Sequence, residues 1–428
     1  MGRIVATASI GTTAEVIRTP AEIRRARVLG ITYVVLAAFV LFVFAFGVEA
    51  GSTSSFGLSR PTDTFEVPNA DIPARPFITI VAVLFGFLGA VQLTRGFGDR
   101  ANLVLGGVLF LFVLAFLTWA AAGSSFSLVG MLQATLVQAV PIALGGMAGI
   151  LCERVAVINI AIEGQLLTGA FVGVIVGAVT NAWIGVAAAI VSGIVLGWVL
   201  AVLAIRYLVD QIIIGVFINI FALGMTSFLS SRVLVERPEL NSSARMLPIK
   251  IPLLGDIPVI GPVLFNNNMF VYAMVVLAVV LQWALFRTRW GLRARAVGEK
   301  PRAADTVGID VFKTRYRNVM LGGAVAGFGG AFFTLGSAGR FDENITVGLG
   351  FIGLAAMIFG RYMPIGALGA ALVFGFADSL QGKLAILQTP IPSEFLLMAP
   401  YVVTIIVVAG LIGRPRVPAA DGEPYVKE

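Results

Sequence analysis

Twelve mostly apolar windows run along the chain, at 29–48, 77–94, 102–122, 128–150, 163–180, 184–204, 211–231, 269–287, 319–336, 347–360, 365–380 and 396–412. A helix needs about 20 such residues to cross the hydrocarbon of a bilayer. The pattern therefore specifies an all-α, polytopic transmembrane bundle of about twelve hydrophobic segments. Composition agrees: 12% of the residues are charged and 58% are hydrophobic, where a soluble domain carries roughly 25% charge. Several later windows are short and rich in glycine, and 347–360 is parted from 365–380 only by Arg361, Tyr362, Met363 and Pro364. Such segments are expected to be discontinuous or to cross only in part, which is where transporters place substrate paths.

Lys and Arg collect in cytoplasmic loops. Residues 287–317 hold nine basic side chains and three acids, so this segment is expected inside. Residues 49–76 hold two basic side chains and four acids, and are expected outside. Twelve crossings then leave both termini cytoplasmic, consistent with Arg3, Arg18, Arg24, Arg25 and Arg27 at one end and Arg414, Arg416 and Lys427 at the other. No small-residue cleavage site follows the first window, which reads as a retained anchor. The prolines of IKIPLLGDIPVIGPVLF, within the second outward loop at 232–268, oppose a spanning helix. Short structure lying at the outer face is expected there. The net charge of +7 fits basic inner loops better than a nucleic-acid partner.

The character of the chain changes near residue 123. Three plain hydrophobic helices precede it; Gln138, Asn159, Glu163, Gln165 and Asn219 follow within the apolar windows or beside them. Residues 1–122 read as an added N-terminal unit of three transmembrane helices, 123–415 as the working core and 416–428 as a cytoplasmic tail. Cys152 is alone, so no internal disulfide can form, and histidine is absent. No GxxxxGK[ST] loop occurs, so any ATP that drives the protein must bind another subunit. No metal site is expected.

Four stretches carry candidate chemistry. In GLRARAVGEKPRAADTVGIDVFKTRYRNV, Pro301 sits where a helix can begin and Gly308 where one can end. A short helix on the cytoplasmic face is expected, with small Ala303 and Ala304 allowing a partner to dock closely. Charge alone would suit any inner loop, and residue types leave both readings open. In ERVAVINIAIEG, Asn159 and Glu163 lie four apart and would share a helical face. A carboxylate at the centre of a membrane helix costs roughly 2.5–3.5 kcal/mol, which makes Glu163 a functional suspect; the alternative is a structural acceptor for backbone. Asn219, in DQIIIGVFINIFALG, would bind a polar solute or bond between helices. Asp342 and Glu343 fall in an outward loop, and Asp378 and Gln381 at the outer end of a helix. Gly366, Ala367, Gly369 and Ala370 read as a close-packing face.

Together these motifs resemble a known family. ERVAVINIAIEGQLLTGAF is similar to the ER-x-G-V-x-N-I-x-x-E-G signature of ABC importer permeases of the branched-chain amino acid/ribose permease family, and more narrowly of its simple-sugar and nucleoside subgroup. QIIIGVFINIFALGMTSFL, GEKPRAADTVGIDVFKTRYRNVMLGGAVAGFGGA and ENITVGLGFIGLAAMIFGRYMPIGALGAALVFGFADSLQ match in the same order, so the resemblance covers about 123–415. Ala156 departs from the signature glycine, Leu349 from a frequent basic residue, and Met363 from a frequent Asn.

The resemblance implies a pore-forming subunit, not an enzyme, in the plasma membrane of a bacterium. A second homologous permease, a cytoplasmic ABC ATPase carrying ATP-Mg, and an extracellular substrate-binding lipoprotein would be its partners, beside membrane lipid. Gly298, Glu299, Pro301, Arg302, Ala303, Ala304 and Gly308 would form the ATPase-coupling surface. Gln138, Asn159, Glu163 and Asn219 would lie along the substrate path. The expected solute is a nucleoside first, a simple sugar next and a branched-chain amino acid third, moved by alternating access. A stand-alone secondary transporter would want a coupling acid deep in a helix, and only Glu163 and Asp378 come near that. A membrane enzyme would want clustered carboxylates, which the windows lack.

Overall fold

A computed structural model describes residues 20–60, 63, 65–387, 398 and 417–427. Fourteen α-helices occur among them: α1 (Pro20–Phe39), α2 (Ala74–Thr94), α3 (Ala101–Ala120), α4 (Leu128–Glu153), α5 (Ile162–Val179), α6 (Ala182–Ala201), α7 (Gln211–Leu229), α8 (Ile260–Leu264), α9 (Met269–Arg287), α10 (Arg289–Glu299), α11 (Pro301–Thr306), α12 (Val311–Ala331), α13 (Leu349–Phe359) and α14 (Pro364–Ile386). Many starts are set by a polar residue placed just before an apolar run, because the first N–H groups of a helix lack partners. Asn181 accepts from Ile184 N at 3.0 Å, Asp210 from Ile212 N at 2.8 Å, Asn268 from Val271 N at 3.2 Å and Asp310 from Lys313 N at 2.9 Å.

Among the described residues, ten helical stretches are long and apolar enough to cross a bilayer, and they fall on ten of the twelve windows. The window 396–412 lies outside the described residues, apart from Met398. The window 347–360 does not form a spanning helix. Its helix, α13, has 11 residues, about 16 Å at 1.5 Å per residue, roughly half a bilayer core. The chain before it is bent by positive φ at Asn344, Val347 and Gly348, so the apolar run starts as a loop.

Two compact units emerge. The first comprises residues 20–57 and 69–126. Helices α1, α2 and α3 share a core of Tyr33, Val40, Phe44, Ile78, Phe85 and Val108, with Phe44 stacked on Trp119 at 5.1 Å. Strands Thr53–Gly57 and Ala70–Pro73 pair antiparallel at one end. The second unit takes in residues 58–68 and 127 onward. Its centre is α4, buried over most of its length and flanked by α12, α13 and α14. Helices α5, α6 and α12 meet backbone to backbone through glycine: a methyl on Gly193 would strike the Gly323 carbonyl, and one on Gly330 the Leu166 carbonyl. Ala367 is fully buried and Gly366 touches Gly360, as a close-packing face requires, but Gly369 faces open space. The loop between α7 and α9 holds α8, two short 3-10 turns and a two-stranded pairing of Ile249–Lys250 with Asn266–Asn267.

Candidate functional site

After α4 ends at Glu153, the chain does not turn straight into another helix. Ala156 takes φ +60, and residues 157–161 run without helical structure along the first turns of α7. Polar side chains hold this stretch. Gln211 Oε1 accepts from Ile158 N at 2.6 Å, and Asn219 Nδ2 donates to the Ile160 carbonyl at 2.9 Å. Asn219 Oδ1 accepts from Gly164 N at 2.7 Å. Asn159 is fully buried; its Nδ2 donates to Gln165 Oε1 at 3.1 Å and to Cys152 Sγ at 3.4 Å, and its Oδ1 accepts from Ala161 N at 3.0 Å. These bonds replace the helical bonds that an unwound, buried backbone gives up.

Helix α5 therefore begins inside the unit. Its first residue, Ile162, faces Gly145 and Gly149 of α4, about 6–12 Å from the Glu153 end at 1.5 Å per residue. Helix α13 begins at the same level, with Gly350 and Gly353 facing Gly145. Glu163 stands where the two starts converge. Its carboxylate accepts from Thr346 Oγ1 at 2.5 Å, Gly348 N at 2.8 Å and Gly350 N at 2.7 Å. Both helices begin beside this carboxylate, so their unpaired first N–H groups lie within its reach. The 11-residue α13 is thus tied to the start of the spanning helix α5 by one buried carboxylate.

Of the four side chains expected on a path, three spend their polar atoms on the chain itself. Asn159, Glu163 and Asn219 are joints. Gln138 of α4 is half-buried and makes no hydrogen bond to another described residue. Thr346, Gly348 and Gln211 are the members that reading the sequence missed. Thr346–Gly350 is a polar and glycine-rich break ahead of an apolar run, which was a visible signal, but its partner lies 183 residues away.

The second candidate surface surrounds α11. Pro301 occupies its first turn and Gly308, at φ +82, follows its end, as the sequence pattern requires. Ala304 is buried, while Glu299, Arg302, Ala303 and Gly308 are exposed. Gly298 is buried against the Arg154 carbonyl so closely that a Cβ would collide with it. Arg154 in turn donates to the Tyr362 carbonyl through Nε at 3.1 Å and Nη2 at 2.7 Å, and lies over the Phe286 ring at 5.3 Å. Burial, and after it the charge of Arg295, lowers the Arg154 pKa from its usual value. The stretch that unwinds into the interior and the turn at α10–α11 thus touch at Arg154–Gly298. Among the described residues no group of three or more His, Cys, Asp or Glu side chains is placed to hold a metal.

Residues 131–409 match the family model described as branched-chain amino acid transport system / permease component. The chain belongs to that permease family. It is 41% identical over 305 residues to the guanosine ABC transporter permease protein NupQ of Bacillus subtilis, covering 69% of this chain and 95% of that protein. It is 36% identical over 303 residues to the nucleoside ABC transporter permease protein NupC of Lactococcus lactis, covering 68% and 95%. The guanosine ABC transporter permease protein NupP of Bacillus subtilis is 28% identical over 271 residues, covering 60% of this chain and 74% of that protein. No solved structure matches. The permease is a polytopic helical membrane protein, and the match starts within α4, so the first unit lies outside it.

Proposed function

We propose that this permease is the pore-forming subunit of an ATP-driven importer whose solute is a nucleoside. The observation that carries the reading is the 41% identity to a guanosine permease along 95% of that protein. The permease carries the solute; hydrolysis of ATP-Mg belongs to a separate ATPase. Two different guanosine permeases of one organism both resemble this chain, which favours pairing with a second, related permease. An extracellular binding protein would deliver the solute.

In this reading the path runs past the level where α5 and α13 begin. Alternating access is a change of tilt of α5 and the half-length α13 about the Glu163 joint. Gln138 offers the solute a replaceable hydrogen bond, while Asn159, Glu163 and Asn219 keep the shape of the wall. Gly298–Gly308 face the cytoplasm and receive the push of the ATPase, and the contact of Gly298 with Arg154 carries it to the 154–161 stretch. The three bonds that Glu163 accepts from Thr346, Gly348 and Gly350 support a structural role for it, which weighs against a stand-alone secondary transporter.

The test is uptake of labelled guanosine, a pentose and a branched-chain amino acid into cells with and without this chain, each with ATP present and depleted. ATP-dependent guanosine uptake that vanishes with the chain is expected. Loss of sugar uptake alone overturns the nucleoside assignment, and uptake that persists after ATP depletion overturns the motor.

A further inference from the structure

We propose that residues 417–427 form a strap that positions the coupling turn, and that Tyr425 is a positioning residue for ATP-driven transport. The inference rests on the reading of Gly298–Gly308 as the ATPase-facing surface.

Within eleven residues the strap touches every element that frames α11. Ahead of α11, Ala420 N donates to the Gly298 carbonyl at 3.0 Å, and Ala419 N to Glu299 Oε2 at 3.3 Å. On α11 itself, Lys427 Nζ lies 3.4 Å from Asp305 Oδ1. Beyond α11, Arg315 Nη1 of α12 donates to the Glu423 carbonyl at 3.2 Å, and the Tyr425 ring sits 5.4 Å from that of Phe312. At the end of α4, the Glu153 carboxyl lies close to that of Asp421. Gly422, at φ +77, supplies the turn that lets one short segment reach all of these.

The strap is not a loose end resting on the surface. Tyr425 is buried and shares a core with Ala294, Val297, Ala304 and Val311, one or more residues from each of α10, α11 and α12. Arg315 and Glu153, both buried, lie beneath it. An aromatic ring at the centre and polar bonds at both flanks make α10, α11 and α12 move as one piece. A push on α11 that would otherwise bend the six-residue helix is passed to α4 and α12 instead. Without the strap the turn can rock while the spanning helices stay still.

The experiment uses the complete complex, both permeases with the ATPase and binding protein, in proteoliposomes, and reads guanosine transported per ATP hydrolysed. Tyr425→Ala should lower that ratio at least about fivefold, the low end of coupling between sites, while hydrolysis continues and the complex still co-purifies. Tyr425→Phe should restore it. A ratio for Tyr425→Ala within about twofold of wild type, below that range, overturns the strap. Should Tyr425→Ala fail to assemble, Asp305→Lys and Lys427→Asp decide: each alone should lower the ratio and the two together restore it, and three equal ratios overturn the proposal. Ala303→Trp, which the strap does not need, separates the two readings. If it leaves the ratio unchanged while Tyr425→Ala lowers it, the coupling-surface reading fails; if it lowers the ratio while Tyr425→Ala does not, only the strap fails.

Discussion

Replacing Glu163 by Ala deletes the joint between α5 and α13. The carboxylate is buried and accepts three hydrogen bonds. In the variant the Thr346 hydroxyl can rotate to another acceptor, but Gly348 N and Gly350 N lose the carboxylate that accepts from them. A buried donor left without a partner costs about 1–3 kcal/mol. Two of them give about 2–6 kcal/mol, less whatever is recovered by no longer burying a charge. At roughly 2 °C per kcal/mol for a large domain, the midpoint of thermal unfolding in detergent should fall by at most about 4–12 °C. Glu163→Gln should fall by less, since one carbonyl oxygen remains while the new amide meets an N–H donor to donor. The decisive form is a double-mutant cycle with Thr346→Val. Residues that share a bond couple by about 0.5–3 kcal/mol, so the double variant should lose less stability than the two single losses added together. Strict additivity, or a Glu163→Ala midpoint equal to that of the wild type, would refute the joint.

Gly298→Val should destabilise by about 1–3 kcal/mol, the usual range for overpacking, because its side chain meets the Arg154 carbonyl; the unfolding midpoint reads this, and the exposed Ala303→Val is the control. Gln138→Ala should weaken apparent guanosine affinity while the unfolding midpoint stays put, within about 0.5 kcal/mol, because its side chain bonds to no other described residue; an unchanged affinity removes it from the path. Burial raises the Asp421 pKa from 3.8 to about 6, against the lowering effects of the Glu153 hydrogen bond, the Arg315 charge and the Gly422 N–H. The attached strap therefore holds its proton more tightly than a free one. Attachment should be strongest below pH 3.8, weaken as pH rises to about 6 and level off above. A nitroxide at Val426→Cys should gain mobility across that window, and Asp421→Asn should flatten the profile.

Much of this architecture is written in short range. Pro301 and Gly308 bracket α11 because each restricts or frees its own φ, with no help from distant residues. Asn181, Asp210 and Asp310 start helices for the same local reason. The window 347–360 was legible as a segment that crosses only in part, but not where its helix would start, because hydropathy records burial and not conformation: Val347 is apolar, yet its φ is +44. Asn159 and Glu163 were legible as unusual polar groups, but not as joints, since a side chain four residues on along a helix is a neighbour only if the helix exists. Here Asn159 lies in the unwound stretch and Glu163 in α5.

The sequence by itself determined that the chain lives in lipid, where its helices begin and end at most boundaries, and which motifs would matter. These follow from the length of an apolar run against the thickness of a bilayer and from the dihedral limits of single residues. Tertiary structure alone decided what the polar groups do. Glu163 finds Gly350 187 residues away, and the tail at 417–427 returns to lie on α10–α12. A buried donor or acceptor must be paired, but the identity of its partner depends on which segments the fold brings to the same depth, and no local property of the chain encodes that.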